Sequence, residues 1–353
     1  MKIALLTLPY DNNYGGNLQR YALYTVLHNM GHDVTHLNLQ FYYHIPWYKY
    51  IARCFDKYIL RKKIYVNKER RQMQRYRSLC SITLPFYDSY INHTAVITHR
   101  KQLLHYTNFD AFIVGSDQVW RACYGDARNK FLDIFFFSYL KNVSKKKIAF
   151  AVSFGTDESL YNKEEKYTYG ELYKAFSAVS VRELSGLKLL KEYGWSSPKA
   201  IHLLDPTFLI TQSEYKKIIN SVTTCPSKGN LFCYILDYTD SINIIVSEIA
   251  QTKGLIPFYI HLNDNVSIQQ WLRSFDEAKF VVTDSFHGLV FSLIFNKPFH
   301  LIQNPYRGNT RFESLCTTFH LGLNGERTDW DYINSRIIQY KNKALSFIEQ
   351  NLK

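Results

Sequence analysis

FVVTDSFHGLVFSLIFNKPFHLI, residues 280–302, runs from a short apolar stretch through a polar loop to a longer apolar stretch and a second short one. That order predicts strand, loop, helix and strand, the repeating unit of a parallel α/β sheet. Asn296, Lys297 and Pro298 stop the helix. His287 stands where the loop turns into the helix. A helix start presents unpaired backbone N–H groups and a partial positive charge, so it attracts phosphate or another anion. Histidine is the side chain suited to proton exchange near neutrality. With Asp284 and Ser285, it forms a set able to do general acid–base work. The plainer alternative is a ring that simply caps the helix. A polar cluster between two very apolar runs favours function.

The same pattern recurs outward from this stretch. KIALLTL (2–8) reads as a buried strand, followed by the loop PYDNNYGGN, the helix LQRYALYTVLHNM closed by Gly31, and the strand HDVTHLNL. FDAFIVGSDQVW (109–120), KKIAFAVSFG (146–155), AVSVRE (178–183) and HLLDPTFL (202–209) continue the series. A second series begins with NLFCYIL (230–236) and alternates helix and strand up to residue 302. The turn-rich TTCPSKGN lies near the boundary. The expected architecture is α/β, with two Rossmann-type doubly wound domains facing a cleft. The first covers 1–205, the second 206–335, and a terminal helix at 336–353 packs back on the first. In such sheets ligands sit beyond the carboxyl ends of the strands, where GSD, SVRE and TDSFHG can converge.

Length agrees with two domains: the chain has 353 residues. Its six cysteines are scattered, with no C-x-x-C pair and no Cys/His cluster of zinc spacing, which reads as reduced thiols in a cytoplasmic protein without a metal. The N-terminus lacks the features of a signal peptide, and no run of 18 apolar residues suggests a membrane span. The net charge of +13 is concentrated: residues 41–77 hold eleven Lys/Arg against Asp56 and Glu69. Aromatics interleave with them. Trp47, Ile51, Phe55, Tyr58 and Ile59 fall on one helical face, with Lys49, Arg53, Lys57 and Arg61 mostly off it and Lys62 and Lys63 following. A helix lying on an anionic membrane surface has this pattern. Packing against its own domain explains it equally well; nucleic acid ranks below both.

Three other sets are candidates. Gly15 and Gly16, in YGGNLQ, permit close backbone approach to a ligand, or make a plain turn with Asn17 as the helix N-cap. Arg182 can grip a phosphate or carboxylate with two nitrogens, or pair with a structural carboxylate such as Asp205 or Glu183. Arg307, Asn309 and Arg311 can reach the same cleft, or stand as solvated loop residues.

Taken together, YGGNLQRYAL (14–23), FDAFIVGSDQVW, SFG (153–155), SVRE (180–183), DPTFLI (205–210) and TDSFHGLVFSLIFNKPF (283–299) resemble the polysaccharide pyruvyltransferase family, in family order up to about residue 323. The resemblance implies a GT-B-like fold and transfer of a pyruvyl group from phosphoenolpyruvate to two sugar hydroxyls, forming a cyclic ketal and releasing phosphate. It implies no cofactor beyond that co-substrate. His287 matches the family's active-site histidine and Arg182 a donor-binding arginine. Many members have Arg-Leu-His where this chain has Ser285-Phe286-His287, which leaves Arg307 or Arg311 to compensate. Ser285 and Gly288 then border the donor, while Gly15, Gly16, Asn17, Gln19, Asp117, Gln118 and Asp284 border the glycan. The acceptor is expected to be a lipid-pyrophosphate-linked intermediate of a capsule or other surface glycan, met at the inner face of the membrane. The rivals are a GT-B glycosyltransferase using a nucleotide sugar and a non-catalytic glycan-binding relative.

Overall fold

A computed structural model describes residues 1–40, 47–122, 131–261, 264, 266–303, 310–322, 325 and 328–353. Six parallel strands form the first sheet: β1 (Lys2–Leu6), β2 (Asp33–His36), β3 (Ala111–Gly115), β4 (Lys146–Val152), β5 (Ala178–Val181) and β6 (Ile201–His202), in the order β2-β1-β3-β4-β5-β6. Four parallel strands form the second: β7 (Leu231–Tyr234), β8 (Pro257–Tyr259), β9 (Phe280–Thr283) and β10 (Phe299–Leu301), in the order β10-β9-β7-β8. Both sheets are wound alike. Each starts at an inner strand, steps one way for its second strand and the other way for its third. The reversal opens a crevice between β1 and β3 in one sheet and between β7 and β9 in the other. β3 and β9 are buried along their whole length, because helices cover both sheet faces. The result is the GT-B-like α/β arrangement of two doubly wound parallel units.

The first helix spans Tyr14–Asn29, so the YGGN loop is in fact its opening turn. Asn13, not Asn17, is the N-cap: its side-chain oxygen accepts from the Gly16 N–H at 3.2 Å. Such a cap contributes about 1 kcal/mol, which offsets much of the helical penalty of a glycine in the first turn. One face of this helix carries Tyr14, Leu18 and Ala22 into the core of the second unit, with Trp271, Leu289 and Phe291. Another packs Leu23, Val26 and Leu27 on the first sheet beside Ile3 and Leu5. Tyr14 stacks on Trp271 with ring centroids 5.4 Å apart, and its hydroxyl donates to the Val266 carbonyl at 3.1 Å. The helix is therefore a wall shared by both units.

The terminal helix, Trp330–Leu352, also joins the two cores. Ile333 lies in the second, whereas Ala344, Phe347, Ile348 and Leu352 lie against the first sheet. Burying each of the last three large side chains is worth roughly 1.5–3 kcal/mol.

Leaving β2, the chain makes the helices Trp47–Tyr58 and Lys68–Cys80 before Leu84–Tyr90 returns to the body and buries Phe86 and Tyr87. No residue of Trp47–Tyr58 is buried. The alternative that this helix packs its apolar face on its own domain is therefore corrected: Trp47 is 75% exposed and Phe55 54%. Among the described residues, no helix is long and apolar enough to cross a membrane.

Candidate functional site

The carboxyl ends of β3, β5 and β6 face the start of the helix Phe286–Ile294, which follows β9. Arg182, just beyond β5, lies at the centre and is buried. Its Nε donates to Glu183 Oε1 at 2.9 Å, its Nη1 to Asp205 Oδ2 at 2.9 Å, and its Nη2 lies 3.5 Å from Asp117 Oδ1. The ion-pairing alternative thus describes most of this side chain. Among the described residues, only Nη2 is left without a hydrogen-bond partner. Burial alone would lower its pKa, but three carboxylates raise it further, so the guanidinium stays charged.

His287 Nε2 lies 3.7 Å from Asp205 Oδ2 and is likewise buried, without a hydrogen-bond partner among the described residues. Its ring packs on Gly15, where a Cβ would come within 2.0 Å of the His287 Cγ. Only glycine lets the starts of the two helices meet this closely, which is the role the structure gives Gly15. Asp205 is held from both sides: Oδ1 accepts from the Thr207 N–H at 3.0 Å and its hydroxyl at 2.8 Å, and Oδ2 accepts from Arg182. Burial would raise its pKa, yet His287, Arg182 and the Thr207 N–H outweigh that and hold it well below the usual carboxylate range. Asp117 is lowered too, burial being outweighed by Arg182, His287 and Arg311. Its φ of 60° is uncommon for a residue with a side chain and aims the carboxylate at Arg182.

Phe286 ties the cluster together. Its ring centroid lies 4.7 Å from the Arg182 guanidinium, 5.5 Å from that of Arg311 and 5.1 Å from the His287 ring. Arg311, at the start of the helix Thr310–Phe319, therefore brings positive charge to the neighbourhood of Ser285. Arg307 and Asn309 lie outside the described residues. Ser285 is the N-cap by position, but its side chain makes no capping bond, and its N–H donates to Thr283 Oγ1 at 3.0 Å.

Several expected ligand contacts have structural partners instead. The Asp284 carboxylate accepts from the N–H groups of Leu236 and Asp237 at 2.6 and 3.0 Å, joining the ends of β9 and β7. The Asn17 side chain donates to the Asp11 carbonyl and accepts from Arg20. Gly16 gives its N–H to the cap. Gly288 is required by Thr283, whose Oγ1 would lie 2.0 Å from an added Cβ. Gln118 accepts from Arg121 at 2.6 Å. Gln19 is buried, and its Oε1 has no hydrogen-bond partner among the described residues. Asp205, Glu183 and Phe286 were not singled out as site residues in the sequence. The signal for Asp205 was its place between a short apolar run and Pro206, where a carboxylate ends at the sheet edge.

His202, on β6, donates from Nε2 to the Arg182 carbonyl at 3.1 Å. Burial lowers its pKa from 6.5 to about 4. Between those values the unfolded chain binds a proton that the folded protein excludes, so stability is full above pH 6.5 and falls as pH drops toward 4. Urea unfolding at pH 7 and pH 5 is expected to differ by roughly 2 kcal/mol from this residue alone, and His202→Gln shrinks the difference.

Solved structures with a similar chain course include UDP-GlcNAc 2-epimerase from Methanocaldococcus jannaschii, at 12% identity and a TM-score of 0.47 over 96% of this chain and 100% of that one. The enzyme of the same name from Neisseria meningitidis, bound to UDP-GlcNAc, is 10% identical, with a TM-score of 0.45 over 98% and 94%. An alpha-glucosyltransferase in complex with UDP and DNA is 10% identical, with a TM-score of 0.47 over 99% and 95%. No curated protein sequence matches the chain. The family model described as polysaccharide pyruvyl transferase matches residues 13–305.

Proposed function

Because this chain belongs to the polysaccharide pyruvyl transferase family, we propose that it moves the pyruvyl group of phosphoenolpyruvate onto two hydroxyls of a sugar. The product is a cyclic ketal, and phosphate is released. One observation carries this reading: two buried nitrogens, His287 Nε2 and Arg182 Nη2, lack hydrogen-bond partners among the described residues, and both side chains reach the same carboxylate, Asp205. Unsatisfied buried donors are rare in folded proteins and point to a ligand that completes them.

In this reading His287, as imidazolium, gives its proton to the methylene carbon of the donor, while a sugar hydroxyl attacks the adjacent carbon and returns its proton to the imidazole. That proton leaves with phosphate, and the second hydroxyl attacks and reloads His287. Asp205 steadies the imidazolium. Arg182 Nη2, Arg311, the Ser285 hydroxyl and the first N–H groups of the helix Phe286–Ile294 hold the donor's two anionic groups. Arg307 and Asn309, a few residues before Arg311, are assigned to the same task. Gln19 and Asp117 border the acceptor from the first unit. The acceptor is a lipid-linked intermediate of a capsular or other surface polysaccharide.

Incubating a lipid-pyrophosphate-linked sugar with phosphoenolpyruvate and the protein tests this by mass spectrometry. The expected product gains one pyruvate and loses one water, with stoichiometric phosphate. A hexose gain from a nucleotide sugar instead would replace this reading with glycosyl transfer.

A further inference from the structure

We propose that the helix Trp47–Tyr58 is a docking element that lays the protein on an anionic lipid bilayer. Its apolar and basic residues are sorted around the axis. Trp47, Tyr48, Ile51, Phe55 and Tyr58 form one arc, continued by Ile59, and every one of them is more than half exposed. Lys49, Arg53 and Lys57 lie on the opposite arc. At the helix end Arg61 takes a left-handed conformation, with φ at 50°. The chain then doubles back: the Lys62 N–H donates to the Asp56 carbonyl, and its ammonium pairs with the Asp56 carboxylate at 2.8 Å. The exposed run Arg61, Lys62, Lys63 thus stands at the helix end, with Lys62 fastened to Asp56.

Charge selects the occupant. Eleven basic residues against two acidic ones in 41–77 repel a second copy of the same segment and attract an anionic surface. An apolar centre with basic flanks suits insertion to headgroup depth, whereas a nucleic-acid face would present its cations at the centre. Solvent exposure of so many large apolar side chains in one row is otherwise unfavourable. The chain enters this segment from the carboxyl end of β2, the same sheet edge that carries Asp117 and Arg182. Docking therefore presents the cleft side to the bilayer, where a lipid-linked acceptor would lie. That last point rests on the proposed reaction; the docking itself does not.

Co-sedimentation of the full chain with vesicles tests it without any catalysis. Vesicles of phosphatidylcholine with one quarter phosphatidylglycerol are expected to pull the protein down, and pure phosphatidylcholine to bind it far less. The double variant Ile51→Asp, Phe55→Asp should weaken binding at least about tenfold. The triple variant Lys49→Gln, Lys57→Gln, Arg61→Gln should weaken it roughly a hundredfold, at about fivefold per charge. None of these side chains is buried, so thermal unfolding should stay unchanged. Equal recovery with both vesicle types would overturn the proposal. So would no recovery with either, a stable dimer in ultracentrifugation that the aspartate variant splits, or duplex DNA binding that competes with vesicles and is indifferent to Ile51 and Phe55.

Discussion

His287→Ala is expected to lower ketal formation by about 10²- to 10⁴-fold, the range of a lost general acid–base group. The expectation follows from position. The His287 ring is packed against the Gly15 backbone, with Nε2 turned to the cluster that also holds Arg182 and Asp205. Alanine removes the side chain there suited to hand on a proton near neutrality, while the three carboxylates and Arg182 stay paired among themselves. Phosphate release and pyruvate incorporation should therefore fall together, with far-UV circular dichroism unchanged and the donor still bound. Asp205→Asn should give a smaller loss, since the amide can still meet Thr207 but brings no negative charge beside His287. A His287→Ala protein that made ketal at nearly the native rate would remove the histidine from the mechanism.

Arg182→Leu is expected to be the most damaging change to stability, at about 3–5 kcal/mol in urea unfolding. Three acids would be left around a vacated buried site: Asp117, Glu183 and Asp205, each within 3.5 Å of the guanidinium in the native protein. Replacing a single partner of a buried ionic network leaves the others uncompensated, which costs more than the network contributes when intact. Lysine should rescue only partly, because one ammonium cannot reproduce a planar fork directed at three acceptors. The deficit should also shrink as pH is lowered, since the orphaned carboxylates can then take up protons in the folded variant. Native-like stability in Arg182→Leu at pH 7 would mean that the three carboxylates are solvated and that Arg182 does not hold them together.

Much of the architecture was legible from residue pattern alone. Apolar runs such as AFIVG and FVVT are long enough to cross a sheet and are ended by polar residues, so their order along the chain laid out both parallel sheets. The TDSFHG loop announced itself by contrast with its flanks. The start of the first helix was misplaced, because two glycines read as a loop, whereas Asn13 caps a helix that includes them. The reason for Gly15 could not be seen in its neighbours: it is His287, which lies 272 positions further along the chain and packs against it.

Local periodicity, turn chemistry and the run of motifs suffice for the elements, their order and the family, because each depends on residues within a few positions of one another. The partners of the charged groups are another matter. Whether Arg182 faces solvent or three carboxylates depends on the strand order of the first sheet, which sets Asp117 and Asp205 beside it, and only packing of the two units brings His287 to them. The same holds for the helix Trp47–Tyr58. Its amphipathic pattern is written in the chain, but an apolar face looks alike whether a core covers it or nothing does. The tertiary structure leaves it uncovered, and that exposure turns a pattern with two meanings into a surface that needs a partner.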